Sequence, residues 1–366
     1  MIGELFSLGG RGFSPGAEQV NEWALAPEES FCIPPQAVQT VYLRSIKSLF
    51  FSRSVLTFAW LFLLLCTAPS ALAWGCKGHQ TVALIAERNL TPETRQFLDK
   101  LLTDNPPDPQ LKRYCGSTHD LLADASTWPD DVRSDLKNGP WHYVNIPRGT
   151  PHGLIDSYCG NQGCVTKAIA DQLAILKDKS ADPHKRADAI RYIVHFVGDL
   201  HMPLHAITNN DEGGNCVPVR YFRRRPHEHH NSYTPNLHAL WDTAIIERDM
   251  EGADPSEYAD TLLQNFFAEI ESWQHAGVHV DDWAWESYGI ANTIVYPELA
   301  PPVPTQTPAP VHSCTDDNNI GERMLRLHIF AGEHYRQIAA PIVEERLAQA
   351  GVRLALILNA AAKPTD

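Results

Sequence analysis

From Trp74 onward the apolar residues recur mostly at three- and four-residue steps. After His79, the residues Val82, Ile85, Ala86 and Leu90 share one face of a helix. Residues 186–200 place Ala189, Ile190, Ile193, Val194 and Val197 on another apolar face, and Pro203 ends or bends that helix. Residues 262–273, 321–338 and 343–358 read as further helices, the last two separated at Pro341. Strict alternation is scarce, and residues 216–222 are the best candidate for a short strand. Residues 223–235 and the proline-rich stretch 297–310 read as loops. No internal repeat is present. The pattern predicts a mainly α fold: a single multi-helix domain with a few short strands and long loops.

The first 73 residues read differently. Arg44, Lys47 and Arg53 precede an almost wholly apolar run from Val55 to Leu65, followed by Ala71-Leu72-Ala73. A basic region, a short apolar core and an A-x-A site make a secretory signal, and the core falls short of the roughly 20 residues that span a bilayer. The expected division is therefore a removed extension and signal at 1–73 and a functional domain at 74–366, with a secreted or periplasmic destination. No stable membrane association is expected after cleavage, and the mature chain reads as a monomer. Residues 1–40 are assigned no role.

Composition narrows the function. The apolar fraction is 43%, ample for a core, and the net charge is −14. An acidic chain does not grip nucleic acid by bulk charge neutralisation, but an enzyme that meets phosphates with bound cations remains open. Of the 8 cysteines, Cys76, Cys115, Cys159, Cys164, Cys216 and Cys314 follow the signal. In an exported protein these suggest disulfides, with Cys159–Cys164 the likeliest pair because they flank a Gly-Asn-Gln-Gly turn. All 17 histidines lie beyond residue 74. Histidine is the commonest metal ligand.

Several histidines carry a pattern. In His195-Phe196-Val197-Gly198-Asp199 the imidazole and carboxylate stand four residues apart, on one helix face. Such a pair either binds a metal or forms a buried hydrogen bond. The spacing returns in His238 and Asp242, and His205 lies just past the break at Pro203. His201 points away from Asp199 and reads as a supporting or structural group. Trp128-Pro129-Asp130 offers another carboxylate, with Arg133 three residues later, and Trp141-His142-Tyr143 another imidazole. Trp74, once freed at its amine, could chelate a metal through its own backbone, five residues before His79. Nitrogen and carboxylate ligands without thiolate suit catalytic zinc.

Taken in order, these motifs resemble the zinc-dependent, single-strand-specific nucleases of the S1/P1 type. The resemblance covers Trp74 to His79, Trp128 to Arg133, Trp141 to Tyr143, His195 to His205, Gly213 to Asn215, Asn236 to Asp242 and Ala350 to Leu354. It implies the helical fold shared by trizinc phospholipases C and nucleases, and three Zn2+ per chain. Asp130, His142, His195 and Asp199 would hold one ion, and Trp74, His79 and the shared Asp199 a second. His205, His238 and Asp242 would hold the third. A close metal pair would activate the water that attacks phosphorus, and the third ion would stabilise the departing 3′ oxygen. Arg133 would act in catalysis alongside Asp199. Tyr143 would stack on a base, and Asn145 and Asn215 would contact substrate. Where some relatives carry Asp, Asn145 can donate as well as accept, which leaves base preference open.

The implied activity is hydrolysis of single-stranded DNA and RNA to 5′-phosphorylated products, with 3′-nucleotidase activity and nucleotides as further substrates. Two rivals stand beside it: a zinc phospholipase C, disfavoured by Asp242 in place of Glu, and a non-catalytic zinc-binding protein, suggested only by the histidine-rich loop 226–230. The arginine run Arg223-Arg224-Arg225 reads first as a solvated loop and second as a contact for the substrate backbone.

Overall fold

A computed structural model describes residues 74–230, 232–305, 314–315 and 325–363. The expected signal and its cleavage point at Ala73 lie outside the described residues. The helices are α1 (Cys76–Arg88), α2 (Pro92–Asp104), α3 (Leu121–Ala125), α4 (Trp128–Leu136), α5 (Val165–Lys177) and α6 (Pro183–His201). They continue with α7, formed of Leu237–Ala239, a π-wound Leu240–Ala244 and Ile245–Asp249, then α8 (Pro255–Asn265), α9 (Phe267–His275), α10 (Val280–Ile290) and α11 (Glu333–Ala362). The strands among the described residues are short: β1 (Arg220–Tyr221), β2 (His227–His229), β3 (Ser232–Thr234) and β4 (Phe330–Ala331). The molecule is mainly α, as the sequence pattern requires.

Three helices form the centre. α6 begins where Asp182 caps the amides of His184 and Lys185 with Pro183 in the first turn, a favourable start because that turn lacks intrahelical acceptors. From Ala189 to His201 every residue of α6 is buried, so it is a core helix rather than an amphipathic surface one. α1 is buried from Gly78 to Ala86, and α11 packs against both. The α1–α11 approach is close: a Cβ on Gly351 would collide with Ile85. Helices that carry ligands thus sit where neighbours fix their rotation.

Several expectations need correction. The helix predicted across 262–273 is two, α8 and α9, joined at Phe266 with non-helical backbone (φ −107°, ψ 23°). Of the helix predicted over 321–338, residues 321–324 lie outside the described residues; Leu325 and Arg326 are helical, the chain then leaves the helix so that Phe330–Ala331 pairs in parallel with Arg220–Tyr221, and helix resumes at Glu333. Pro341 lies inside α11 and does not end it. A helix buried along much of 30 residues gains more from packing than one missing backbone bond removes. The strand predicted at 216–222 is confined to Arg220–Tyr221, and the loop predicted at 223–235 holds the antiparallel β2–β3 hairpin. Cys159–Cys164 is a disulfide, and Cys76–Cys115 and Cys216–Cys314 are two more.

Candidate metal centre

Asp199 is the hub. It has no exposed surface, and its Oδ2 lies 3.0 Å from His142 Nδ1 and 3.2 Å from His195 Nε2. Its Oδ1 lies 3.3 Å from His79 Nε2. His195 shares its helix face at the four-residue spacing. His79 comes from α1 and stacks on the His195 ring with centroids 3.9 Å apart. His142 ends the 3-10 turn Gly139–His142. Asp130, in the first turn of α4, places Oδ1 3.7 Å from His142 Nδ1 and 3.8 Å from His195 Nε2. Five ligand-type side chains from four segments therefore share one buried space. Gly198 permits it, since a Cβ there would stand 2.9 Å from His79 Nδ1.

A second group adjoins this one. His238 and Asp242 project from α7, with Nε2 and Oδ2 2.9 Å apart, and the π-wound turn carries Asp242. Such bulges concentrate at functional sites because they re-aim side chains without ending a helix. His205, in the turn after Pro203, stacks on His238 with centroids 5.0 Å apart. His205 Nδ1 also lies 3.7 Å from Asp199 Oδ1, which joins the two groups.

Backbone carbonyls orient the rings. Nδ1 of His195 donates to Ser126 O (2.7 Å), that of His205 to His142 O (2.7 Å) and that of His238 to Gly213 O (2.8 Å). A carbonyl only accepts, so each of these nitrogens carries the proton and Nε2 is left as a lone-pair donor. Gly213 has φ +59°, and a Cβ there would stand 2.6 Å from Leu204 O, so only glycine supplies that carbonyl comfortably.

The polar atoms left without hydrogen-bond partners test whether a cation fits. They include both ring nitrogens of His79, Asp130 Oδ1, His142 Nε2, Asp199 Oδ1, His205 Nε2 and both oxygens of Asp242. Buried unsatisfied groups are costly, and here they gather in one place. The ligand atoms of His79, Asp130 and His195 lie within 4.8 Å of one another, as do those of His142, His195 and Asp199, and those of His205, His238 and Asp242. The third set is the one expected from sequence. The other two interleave through His195, so geometry joins those ligands in one cavity and does not partition them as neatly. All-nitrogen-and-oxygen donors fit zinc.

The electrostatics agree with an unfilled demand for positive charge. Burial opposes ionisation of Asp199, yet His195, His205 and a hydrogen bond from His142 hold its carboxyl well below the usual range. Burial would depress His195, but Asp199 and Asp130 push it up to about 9. His79 is brought down to about 4, first by burial and then by His195.

Trp74 and Arg133 border this space. The Trp74 ring is wholly buried, its Nε1 donates to Gly198 O (2.6 Å), and Gly75 N donates to Asp242 O (2.8 Å). The chain at Trp74 is thereby pinned between α6 and α7. Arg133 Nη1 lies 3.8 Å from Asp130 Oδ1 and is partly exposed. His142, Val144 and Ile146 are buried while Tyr143 and Asn145 are exposed, so the last two face outward together. Burial raises the Tyr143 phenol, with the Arg133 charge opposing and the Glu212 charge adding to the shift. Asn215 donates its amide to Glu212 O (2.9 Å) and closes a turn. No contact ties Asn215 directly to the cluster.

Sequence reasoning missed the carbonyls of Ser126, His142 and Gly213, because backbone groups leave no residue-type signal. It also missed Arg346 and gave no role to Arg353, which lies within the Ala350–Leu354 resemblance. Arg346 Nε donates to His201 O (3.2 Å), and Arg353 Nη1 bonds His201 Nε2 (3.0 Å), fixing the end of α6 just before His205. His201 is fully buried, with its ring bonded to Val197 O and Arg353.

Known proteins give a consistent placement. The S1/P1 nuclease family profile matches residues 74–363. Endonuclease 4 of Arabidopsis thaliana is 31% identical, covering 79% of this chain and 89% of its own length. Nuclease S1 of Aspergillus oryzae is 28% identical, covering 81% of this chain and 94% of its own length. Nuclease P1 of Penicillium citrinum is 28% identical over 62% of this chain and 83% of its own. The matched span begins at the very tryptophan that the fold pins against Gly198 and Asp242, and this chain belongs to the S1/P1 nuclease family.

Proposed function

We propose that residues 74–366 are the mature domain of an exported, zinc-dependent phosphodiesterase that cleaves single-stranded DNA and RNA to 5′-phosphorylated products. The observation that carries this reading is the concentration of orphaned ligand atoms on His79, Asp130, His142, Asp199, His205 and Asp242. Asp130, His142, His195, Asp199, His79 and the freed backbone of Trp74 would hold two ions, and His205, His238 and Asp242 a third. Zinc held there supplies Lewis acidity, lowering the pKa of water and offsetting phosphate charge. Asp199 keeps the two groups in register, since it touches both. Arg133 donates to the phosphoryl oxygens as charge accumulates on them. Tyr143 offers an exposed ring on which any base can stack. Asn145, on the same outward face, can donate to or accept from a base edge. Breaking the bond to the 3′ oxygen leaves phosphate on the 5′ side. The same bond in a 3′-mononucleotide accounts for 3′-nucleotidase activity.

The test is an assay of the purified mature protein with a metal count and N-terminal sequencing. Wild type should begin at Trp74, hold about three zinc ions, and cut denatured DNA far faster than duplex. Asp199→Ala should lose zinc and nearly all cleavage. Full activity in Asp199→Ala, or in metal-depleted wild type, would sink the reading.

A further inference from the structure

The segment Arg220 to Thr234 is not used by the site described above. Its sequence reads first as a solvated loop, but its described residues, 220–230 and 232–234, are folded and tied down. Strand β1 is followed by a tight turn in which Tyr221 N donates to Arg224 O (3.1 Å) and Arg224 N to Tyr221 O (2.9 Å), and the β2–β3 hairpin comes next. Both ends are fastened to the backbone of the His238 group. Val219 N donates to Pro235 O (3.1 Å), Leu237 N to Val217 O (2.8 Å) and His238 N to Gly214 O (3.3 Å). Ser232 Oγ donates to Asn215 O (3.3 Å). The arm therefore rises from the same Gly213-Gly214-Asn215 turn whose carbonyl orients His238.

Its charge is opposite to that of the whole. The chain carries −14, yet between Arg220 and Thr234 the only acid is Glu228. Arg223, Arg224 and Arg225 are exposed, and none of their guanidiniums meets a carboxylate or a hydrogen-bond acceptor among the described residues. Aromatic rings lie alongside: Arg248 sits over Phe222 at 4.0 Å and Arg220 over Phe330 at 5.3 Å, with Phe330 43% exposed. Three adjacent unpaired arginines repel one another and add nothing to the fold. Guanidinium forks suit phosphate, and neighbouring aromatic rings suit unstacked bases. Arg223 is four residues from Val219, and Pro235, which Val219 bonds, is three from His238. At about 3.5 Å per residue the arginines lie within about 35 Å of that site, in reach of one continuous strand.

We propose that this basic arm is a binding site for the phosphate backbone of single-stranded nucleic acid, gripping nucleotides beyond the one at the metal centre. The proposal rests on the nuclease reading for its ligand. It makes the protein selective for long strands, because a short substrate fills the metal centre without reaching the arm.

The test replaces Arg223, Arg224 and Arg225 together by Gln, and separately by Lys. For a strand of roughly 30 nucleotides, the Gln triple should raise KM at least tenfold relative to its effect on a trinucleotide, in low salt. The slope of log KM against log salt should fall by about two, at roughly 0.7 per lost single-strand phosphate contact. The Lys triple should recover most of both. Fluorescence anisotropy with an uncleavable phosphorothioate strand should show the same split without catalysis. Strand-length dependence and salt slope equal to wild type in the Gln triple overturn the arm, as does an equal loss on long and short ligands. Length-dependent binding without any cleavage in wild type overturns the nuclease reading and leaves the arm standing.

Discussion

His201 is buried between two arginines and must stay neutral there. Burial, Arg346 and Arg353 hold its pKa well below 6.5. Its Nδ1–H donates to Val197 O (2.8 Å), and Nε2 accepts from Arg353. The unfolded chain takes up a proton near pH 6.5, whereas the folded chain refuses it. A depressed pKa therefore contributes stability that is complete above about pH 6.5 and is lost as pH falls toward the folded value, by up to about 1.4 kcal/mol per pH unit. In urea unfolding of chelated protein at pH 7.5 and 5.5, His201→Gln should lose less stability on acidification than wild type, by about 1 kcal/mol. An identical loss in both would show that His201 titrates freely. Arg133 makes the complementary case, exposed enough to reach substrate yet 3.8 Å from Asp130. Arg133→Ala should retain zinc and lower kcat about 10²- to 10³-fold on denatured DNA. Loss of zinc instead would make it a structural partner of Asp130. At this scale the sequence was legible where chemistry sits on side chains at helical spacing, as in His195 with Asp199. It was silent on Ser126, whose backbone carbonyl, not its side chain, orients His195.

Elements carry the next constraint, because the ligands belong to helices that must approach closely. α1 and α6 meet at Gly198, where the Trp74 indole bonds the backbone and the His79 ring packs against Cα. Gly198→Ala adds a methyl 2.9 Å from His79 Nδ1, in a wall that cannot yield because His79 is also stacked on His195. The expected outcome is a folded protein with a displaced His79, reduced zinc content and at least tenfold lower activity, measured by metal analysis beside circular dichroism. Normal zinc content would mean that α1 shifts freely. The core of α6 was readable from its apolar periodicity and from Pro203. α11 was misjudged at Pro341, since local sequence shows the missing N–H but not the burial on both sides that outweighs it. The β1–β4 pairing was invisible for a different reason: its partners, Arg220 with Phe330 and Tyr221 with Ala331, are far apart in sequence and only two residues long.

The whole molecule is organised around charges it cannot neutralise alone. Asp130, Asp199 and Asp242 are buried, and among the described residues Arg133 is the guanidinium that meets one of them, 3.8 Å from Asp130. Fold class was legible from periodicity, and His195 with Asp199 and His238 with Asp242 from their spacing, whereas Asp130 and His142 joined the expected site only through the family resemblance. The joining of the two groups through Asp199 and His205 was not legible, because it depends on how far α6 bends after His201. Each buried group left unsatisfied costs about 1–3 kcal/mol, against a total stability of about 5–15 kcal/mol for a typical protein. A chain with so many orphaned ligand atoms in its core should therefore draw part of its stability from bound cations. Cations that bind only the folded state stabilise it by mass action, about 2.7 kcal/mol for one site at a hundredfold excess over Kd. Chelation should lower the thermal midpoint by on the order of 10 °C, and added zinc should restore it. Asp199→Ala, which has already lost the hub, should respond much less to chelator. If calorimetry found wild type indifferent to chelation while metal analysis showed the zinc removed, the cluster would be self-sufficient, and the orphaned atoms would need another partner.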